Sequence, residues 1–367
     1  MGELLIVYGP PVLAWALFFS RRSGEDRARR TIRWVLLGLA VSLTALTPAV
    51  YEFVGQVSGV GHLARLIGHG GMLFAAWAAQ EFLAHMNGLG RGARWHAWWV
   101  ACSFAVLCVL FALAPDLYPQ QPGVLEYCVV YLVGQAPAFG NVIRLGLRYA
   151  RAADAPALRI GMRLVAAGTA IALLYLVNKV VLTAAARFGF AYPLGALPVV
   201  GAGLPAAADV LVLVGATLPA TAGWLHRYRH YQHLGPLWRA LYRAEPAIAL
   251  DPPAGPDLLA VGGLRLRLYR RVIEIRDGLL VLHPYRADDV AAAAREHARL
   301  AGLSGRRLEA TVEAAAVAAA LRSHASGNPP TAPAGTAGTV TGGTDLASDT
   351  VFLSRVARAY RKHHATT

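Results

Sequence analysis

The sequence predicts an all-α membrane protein, with seven transmembrane helices followed by a small cytoplasmic helical domain. Hydrophobic residues make up 56% of the 367-residue chain and charged residues only 15%, and mean hydropathy is +0.43. Soluble globular domains carry about 25% charged residues. Long apolar segments also recur along the first two thirds of the chain. These observations exclude a soluble enzyme of ordinary composition and a disordered chain.

A membrane-spanning helix needs about 20 apolar residues. Seven segments approach this length: 4–20, 34–55, 63–86, 97–115, 125–150, 164–188 and 202–223. The first segment ends in Arg21-Arg22 rather than at a small-residue cleavage site. We therefore expect it to be retained as a span and not removed as a signal peptide.

Basic residues predict the orientation of these spans in the cell membrane. Arginines concentrate in the loops after spans one, three and five, namely Arg21, Arg22, Arg27, Arg29, Arg30, Arg33, Arg91, Arg94, Arg144, Arg148, Arg151, Arg159 and Arg163. The intervening loops contain only Arg65 and Arg187. Because arginine-rich loops stay in the cytoplasm, we expect the N-terminus outside and the C-terminus inside. The net charge of +14 then reflects contact with a lipid bilayer, and no nucleic-acid partner is predicted.

Ionisable and polar residues within the predicted spans mark a candidate ligand site. Such residues are costly in a membrane and usually serve function. The predicted ligand-binding residues are Lys179, Asp209, His69, Arg65, Tyr175, Asn178 and Tyr131. Their positions place them in the outer half of the bundle, where they would line an outward-opening cavity. The excess of cations suits an anionic or polar small molecule.

A structural interpretation of the same residues stays open. At about 1.5 Å per helical residue, Lys179 and Asp209 lie at similar depth and would form a neutralising pair. The histidines and tyrosines would then sit at the level of the lipid headgroups.

No motif in the chain indicates a cofactor or an enzyme. A phosphate-binding loop, a His-Glu-x-x-His zinc motif and a Gly-x-Ser-x-Gly elbow are all absent from the sequence. His226, His230 and His233 share a helical face, but no cysteine or carboxylate joins them. We therefore predict no metal site.

The C-terminal part divides into a helical domain at 224–324, a Pro/Gly-rich flexible linker at 325–348 and an amphipathic helix at 349–367. A short helix is expected at 235–242, followed by helices at 288–301 and 306–324. Phe352, Val356 and Tyr360 form one stripe of the last helix, which we expect to dock on the helical domain.

The segment from Leu264 to Tyr285, LRLRLYRRVIEIRDGLLVLHPY, is the most distinctive of this half. Its apolar residues recur at helical spacing, and a strand over 272–282 is the alternative. Charged residues occupy its other faces. The predicted contacts with a cytoplasmic protein partner are Arg270, Arg271, Glu274 and Asp277.

The stretch LYRRVIEIRDG at 268–278 resembles the core motif of an uncharacterised actinobacterial family of multi-spanning membrane proteins. The similarity extends to Tyr175 and Lys179 and to the last helix, although members commonly have Trp where this chain has Phe352. The resemblance implies several spans followed by a cytoplasmic helical domain. It also implies the label of transporter that many members carry, without a demonstrated substrate.

Three functions remain consistent with these patterns. The first is a transporter of a small polar or amphipathic molecule that uses the cavity around Lys179 and Asp209. The second is a seven-span sensor that relays ligand binding to a cytoplasmic partner. The third is a membrane-embedded enzyme acting on a lipid or isoprenoid, which the missing motifs do not favour.

Overall fold

The structure is a computed structural model, and it describes residues 2–20, 27–86, 92–113, 121, 123–193, 197, 199–250, 263–328 and 345–365. This part of the chain is all-α. Its helices are α1 (Gly2–Ser20), α2 (Arg27–Ala45), α3 (Pro48–Ser58), α4 (Leu63–Met86), α5 (Gly92–Leu113), α6 (Val124–Ala152), α7 (Pro156–Phe188), α8 (Leu204–Ala244), α9 (Leu264–Val281), α10 (Asp288–Leu300), α11 (Gly305–Ala325) and α12 (Leu346–Ala365). The chain forms two compact units, Met1–Pro219 and Ala220–Thr367.

Four or five candidate membrane spans among the described residues indicate a multi-pass membrane protein. Four helices are long and apolar enough to cross a bilayer: Trp95–Leu113, Val124–Ala152, Pro156–Phe188 and Leu204–Ala244. A fifth candidate is the pair α2 and α3, whose axes differ by 77°. The described residues therefore support four or five of the seven predicted spans. The apolar helix Val7–Ser20 is short for a span, and α4 is not among the candidate spans.

The predicted second span, 34–55, is not one continuous helix. It breaks after Ala45, and Thr47 adopts an extended backbone (φ −69°, ψ 140°) immediately before Pro48. Proline disfavours the helical conformation of the residue that precedes it. The Thr47 hydroxyl donates to the Thr44 carbonyl (2.7 Å), which satisfies one of the carbonyls freed at the end of α2.

In the first unit, α4 is surrounded by other helices. It packs against α2, α3, α5 and α6. Small residues permit a close approach to α2: a Cβ built on Gly38 would lie 2.7 Å from the carbonyl oxygen of Gly71. Gln80 of α4 is buried and donates to the carbonyl of Pro137 in α6 (3.4 Å). These contacts bring the polar face of α4 into the bundle.

The second unit has its own hydrophobic core, built from the end of α8 and from α9, α11 and α12. Leu268, Val272, Ile275 and Leu279 bury one face of α9, so the helix prediction is confirmed and the strand alternative is wrong. Phe352, Val356 and Tyr360 are buried in the same core, which confirms the docking of α12. Arg276 pairs with Asp349 (2.6 Å) between α9 and α12.

One helix boundary differs from the predictions for this half. The short helix expected at 235–242 is the last part of α8, which continues without a break to Ala244 because Gly235-Pro236 does not interrupt it. The helices expected at 288–301 and 306–324 correspond to α10 and α11. Residues 329–344 of the predicted linker lie outside the described residues, as do Arg21, Arg22 and Arg91.

Candidate functional site

A cavity of about 620 Å³ lies within the first unit. It is lined by residues near one end of α4, α6, α7 and α8, together with residues of α1 and of the α2–α3 break. Six of the seven predicted ligand-binding residues line it: Arg65, His69, Tyr131, Tyr175, Lys179 and Asp209. The structure thus brings together side chains from four helices that are far apart in sequence.

His69 is the centre of an aromatic cluster on the cavity wall. Its Nδ1 lies 2.8 Å from the hydroxyl of Tyr127, and its ring stacks on Tyr131 with the ring centroids 4.1 Å apart. The Tyr131 hydroxyl in turn accepts a hydrogen bond from the buried amide of Gln135 (3.5 Å). These contacts fix the imidazole through one nitrogen and one ring face, so the wall between α4 and α6 is preorganised.

Lys179 and Asp209 both line the cavity, but they do not form the neutralising pair that the sequence left open. Among the described residues, no ion pair or side-chain hydrogen bond joins either group to a partner. The Lys179 ammonium lies 5.4 Å from the centroid of the Tyr175 ring, one helical turn earlier on α7. Such a contact favours a cation over the ring face without neutralising it.

Arg65 enters the cavity from the first turn of α4. Its guanidinium lies 5.9 Å from the centroid of the Tyr51 ring, on α3. The Tyr51 hydroxyl is hydrogen-bonded to Nδ1 of His62. The chain bends between α2 and α3, and this bend places the Tyr51 ring beside Arg65. A straight second span would place the ring elsewhere.

Asn178 is the one predicted ligand-binding residue that does not line the cavity. It is buried, and its side-chain oxygen accepts a hydrogen bond from Tyr192 (2.8 Å). Its amide nitrogen has no hydrogen-bond partner. Neighbouring residues on a helix point about 100° apart, which explains why Lys179 faces the cavity and Asn178 does not.

Several lining residues were absent from the predicted set. Thr47, Tyr127, Cys128 and Thr183 are polar residues among them, and Ser42 contributes a buried hydroxyl without a hydrogen-bond partner. Tyr127 could have been found, because it precedes Tyr131 by one helical turn and shares its face. Ser42 offered no such signal, since only the packing of α2 shows which way it points.

The four predicted partner-contact residues of α9 have different environments. Arg270 and Asp277 are exposed, whereas Arg271 is buried and Glu274 is half-buried. The Arg271 guanidinium lies 3.7 Å from the Tyr231 ring centroid and 4.8 Å from that of Trp238, and it donates to the Tyr231 carbonyl (3.2 Å). Glu274 accepts from the Trp238 indole (2.7 Å). Contact with a partner stays a prediction for all four.

One of the three histidines of α8, His230, is hydrogen-bonded to α12. Nε2 of His230 lies 3.1 Å from Nε2 of His226, and Nδ1 of His230 lies 2.8 Å from the hydroxyl of Ser354. Within the described ranges, no group of three or more His, Cys, Asp or Glu residues is arranged to hold a metal ion.

Comparison with known protein families gives a match that falls in the second unit. No curated protein and no solved structure matches the chain. The match includes the 268–278 segment that carries the resemblance noted above, but the family carries no transporter name. Residues 223–363 match the model of a family of unknown function, DUF6545, and the described residues before them form the candidate membrane spans of a multi-pass protein.

Proposed function

We propose that the first unit binds a small amphipathic molecule with an anionic group and carries it across the membrane. The observation that supports this is the cavity of about 620 Å³ that contains Arg65, Lys179 and Asp209. Charged side chains within a membrane bundle are kept where they meet a substrate, an ion or each other. Lys179 and Asp209 do not meet each other, which leaves a ligand as the group they would contact.

The size and lining of the cavity support a small molecule. Small-molecule sites have volumes of about 300–1,000 Å³ and few polar groups on a mainly apolar wall. Most lining residues here are apolar, including Leu43, Met72, Phe139 and Leu176. Two cations against one carboxylate favour an anionic group on the ligand, and the apolar wall favours an attached hydrocarbon or aromatic part.

Seven spans with the N-terminus outside remain our proposed topology. Two of the seven segments, α1 and α4, are not among the candidate spans, and each has a structural reason. Helix α4 is surrounded by α2, α3, α5 and α6, so it needs less apolar surface than a lipid-facing helix. Helix α1 is apolar over Val7–Ser20 and would span a thin or locally deformed bilayer.

The placement of arginines supports this orientation. In α6, Arg144 follows Tyr131 by 13 residues, about 20 Å along the helix. In α7, Arg163 precedes Lys179 by 16 residues, about 24 Å. The cavity and the arginine-rich ends thus lie at opposite ends of both helices, so a cytoplasmic arginine-rich side gives a cavity that opens outward.

A sensor is the second candidate function. It is supported by the second unit, which has its own core of buried side chains from four helices. A carrier does not require such a domain, whereas a receptor needs one to pass a signal to a partner. Transport by a chain truncated after residue 262 would distinguish the two, because a carrier would retain flux without α9–α12.

The test is to purify the full chain in lipid nanodiscs and identify every retained small molecule by mass spectrometry. Lys179→Ala is compared with wild type, and the chain's only other lysine, Lys362, provides the matched control Lys362→Ala. We expect an anionic amphipathic molecule in wild type and in the control but not in Lys179→Ala. That molecule is then used as the substrate in proteoliposome flux measurements.

Equal retention of all small molecules by the three proteins would contradict the binding site. Retention that depends on Lys179 without measurable flux would contradict transport and favour the sensor.

A further inference from the structure

A second cleft lies wholly within the second unit, at the first turns of α9. It is open, has a volume of about 690 Å³, and is lined by Trp224, Arg227, Arg265, Leu266, Tyr269 and Leu346. Neither the cavity of the first unit nor the proposed transport involves it. Its composition, two cations beside exposed apolar and aromatic side chains, points to a ligand of a particular class.

The charge of the cleft favours an anion. Arg227 and Arg265 are both exposed. Within the described part of the chain, neither has an ion pair or a side-chain hydrogen bond. None of the described residues that line the cleft is acidic. Two arginines that are not neutralised locally form a site for a phosphate or a carboxylate.

The apolar side of the cleft continues as a stripe along α9. Leu266 and Tyr269 are 56% and 46% exposed, and Ile273 and Leu280 extend the same face at 40% and 59%. This stripe lies opposite the buried face of Val272 and its neighbours, so the domain core does not use it. An exposed apolar stripe with arginines along its edge is the composition of helices that lie in a membrane interface.

The position of the cleft along the chain favours a lipid over a soluble anion. Trp224 is preceded in α8 by an apolar segment, residues 204–223. At about 1.5 Å per residue this segment is about 30 Å long, which equals the thickness of the bilayer hydrocarbon. Trp224 follows directly and stacks on Tyr228 with ring centroids 5.1 Å apart. Tryptophan and tyrosine at the end of a span lie at the level of the headgroups.

We propose that this cleft binds the headgroup of an anionic phospholipid. Arg227 and Arg265 contact the phosphate, and Leu266 and Tyr269 contact the glycerol and the start of the acyl chains. The domain matched by the family of unknown function would then recognise the lipid composition of the membrane in which the chain is embedded.

The experiment uses the full chain in a neutral detergent and titrates it with dihexanoyl phosphatidylglycerol, counting bound lipids by native mass spectrometry. The test variant is Arg227→Gln/Arg265→Gln. The matched control is Arg295→Gln/Arg299→Gln, which removes the same charge from two exposed arginines of α10. We expect about 30-fold weaker binding in the test variant, at roughly a factor of five for each arginine, and less than 3-fold in the control.

Two further measurements are needed. The first distinguishes binding of a lipid from binding of free phosphate, and the second distinguishes the effect of charge from that of side-chain geometry. Inorganic phosphate at the same concentration is expected to displace little phosphatidylglycerol, because it lacks the apolar contacts. Arg227→Lys/Arg265→Lys retains the charge and is expected to recover most of the affinity, which also shows that loss in the glutamine variant is not unfolding. The proposal is overturned if both glutamine variants bind alike, if phosphate displaces the lipid fully, or if dihexanoyl phosphatidylcholine binds equally well.

Discussion

Gly161 of α7 and Gly215 of α8 face each other backbone to backbone. A Cβ built on Gly161 would lie 2.6 Å from the carbonyl oxygen of Gly215, and a Cβ built on Gly215 would lie 2.7 Å from the carbonyl oxygen of Gly161. Small residues permit such approaches between membrane helices, where van der Waals packing replaces the hydrophobic effect as the driving force. This crossing holds together the two helices that carry Lys179 and Asp209.

Replacing Gly215 with Ala is expected to destabilise the first unit. The new methyl group would meet backbone atoms that cannot move without separating the helices, and overpacking of this kind costs about 1–3 kcal/mol. We expect a lower midpoint of thermal unfolding in detergent. Gly140→Ala is the control, because a Cβ at Gly140 in α6 meets no atom within 4 Å. Equal midpoints for the two variants would contradict the close approach.

Lys179 and Asp209 are expected to contribute independently to stability. They do not form an ion pair, and substitutions without a shared contact add to within about 0.5 kcal/mol. The measurement is a double-mutant cycle with Lys179→Ala, Asp209→Ala and the double variant, followed by thermal unfolding of each. A coupling energy above about 1.5 kcal/mol would indicate that the two side chains interact as a neutralising pair. It would then remove the main support for a ligand.

The proposed topology predicts a pattern of cysteine labelling. Ser58 and Ala191 are exposed at the cavity end of the bundle, and Asp154 is exposed between α6 and α7. In intact cells, a membrane-impermeant maleimide should label Ser58→Cys and Ala191→Cys but leave Asp154→Cys unlabelled until the cells are opened. The parent chain with its natural cysteines is the background control. Labelling of Asp154→Cys in intact cells would reverse the orientation.

Arg271 is expected to be a structural residue of the second unit. Its guanidinium is only 5% exposed and lies between the rings of Tyr231 and Trp238. Loss of these contacts in Arg271→Ala should cost about 2–3 kcal/mol. Arg271→Lys should also destabilise, because an ammonium cannot stack between two rings as a planar guanidinium does.

The control for Arg271 is Arg267→Ala, since Arg267 is exposed on the same helix. For both variants, the protection of the α9 backbone amides against hydrogen exchange is measured in the full chain. Unchanged protection in Arg271→Ala would leave its predicted role in partner contact as the better explanation.

The start of α12 should depend on pH. Hydrogen bonds from the hydroxyl (2.6 Å) and backbone N–H (2.7 Å) of Ser348 lower the pKa of the Asp345 carboxylate below its usual value of 3.8. A lowered pKa in the folded state stabilises the helix above that usual value, and the effect disappears as pH falls through the lowered pKa.

Protection of the first turn of α12 against hydrogen exchange should therefore decrease as pH falls below the usual carboxyl pKa of 3.8. In Asp345→Asn this dependence should vanish. Asp277→Asn is the control, because Asp277 is exposed in the middle of α9. The same pH dependence in Asp345→Asn would assign the effect to another carboxylate.

Helices whose apolar residues follow a strict period could be predicted from the sequence. The stripe of Phe352, Val356 and Tyr360 identified both α12 and the side that it buries, because one buried face is enough to set the phase of a helix. The same holds for α9. The break at Thr47-Pro48 had a local signal in the proline, but proline is tolerated within α6 at Pro137, so the sequence does not say which proline ends a helix.

The sequence by itself determined the membrane class, the helical period and the identity of the costly polar residues in apolar segments, because each depends on transfer free energy and local geometry. Only the tertiary structure decided which of these residues meet. It brought Arg65, Lys179 and Asp209 to one cavity, turned Asn178 away, and placed Arg271 between two rings. The rotation of one helix against its neighbours follows from packing between distant segments, such as the contact of Gly161 with Gly215, and no local pattern encodes it.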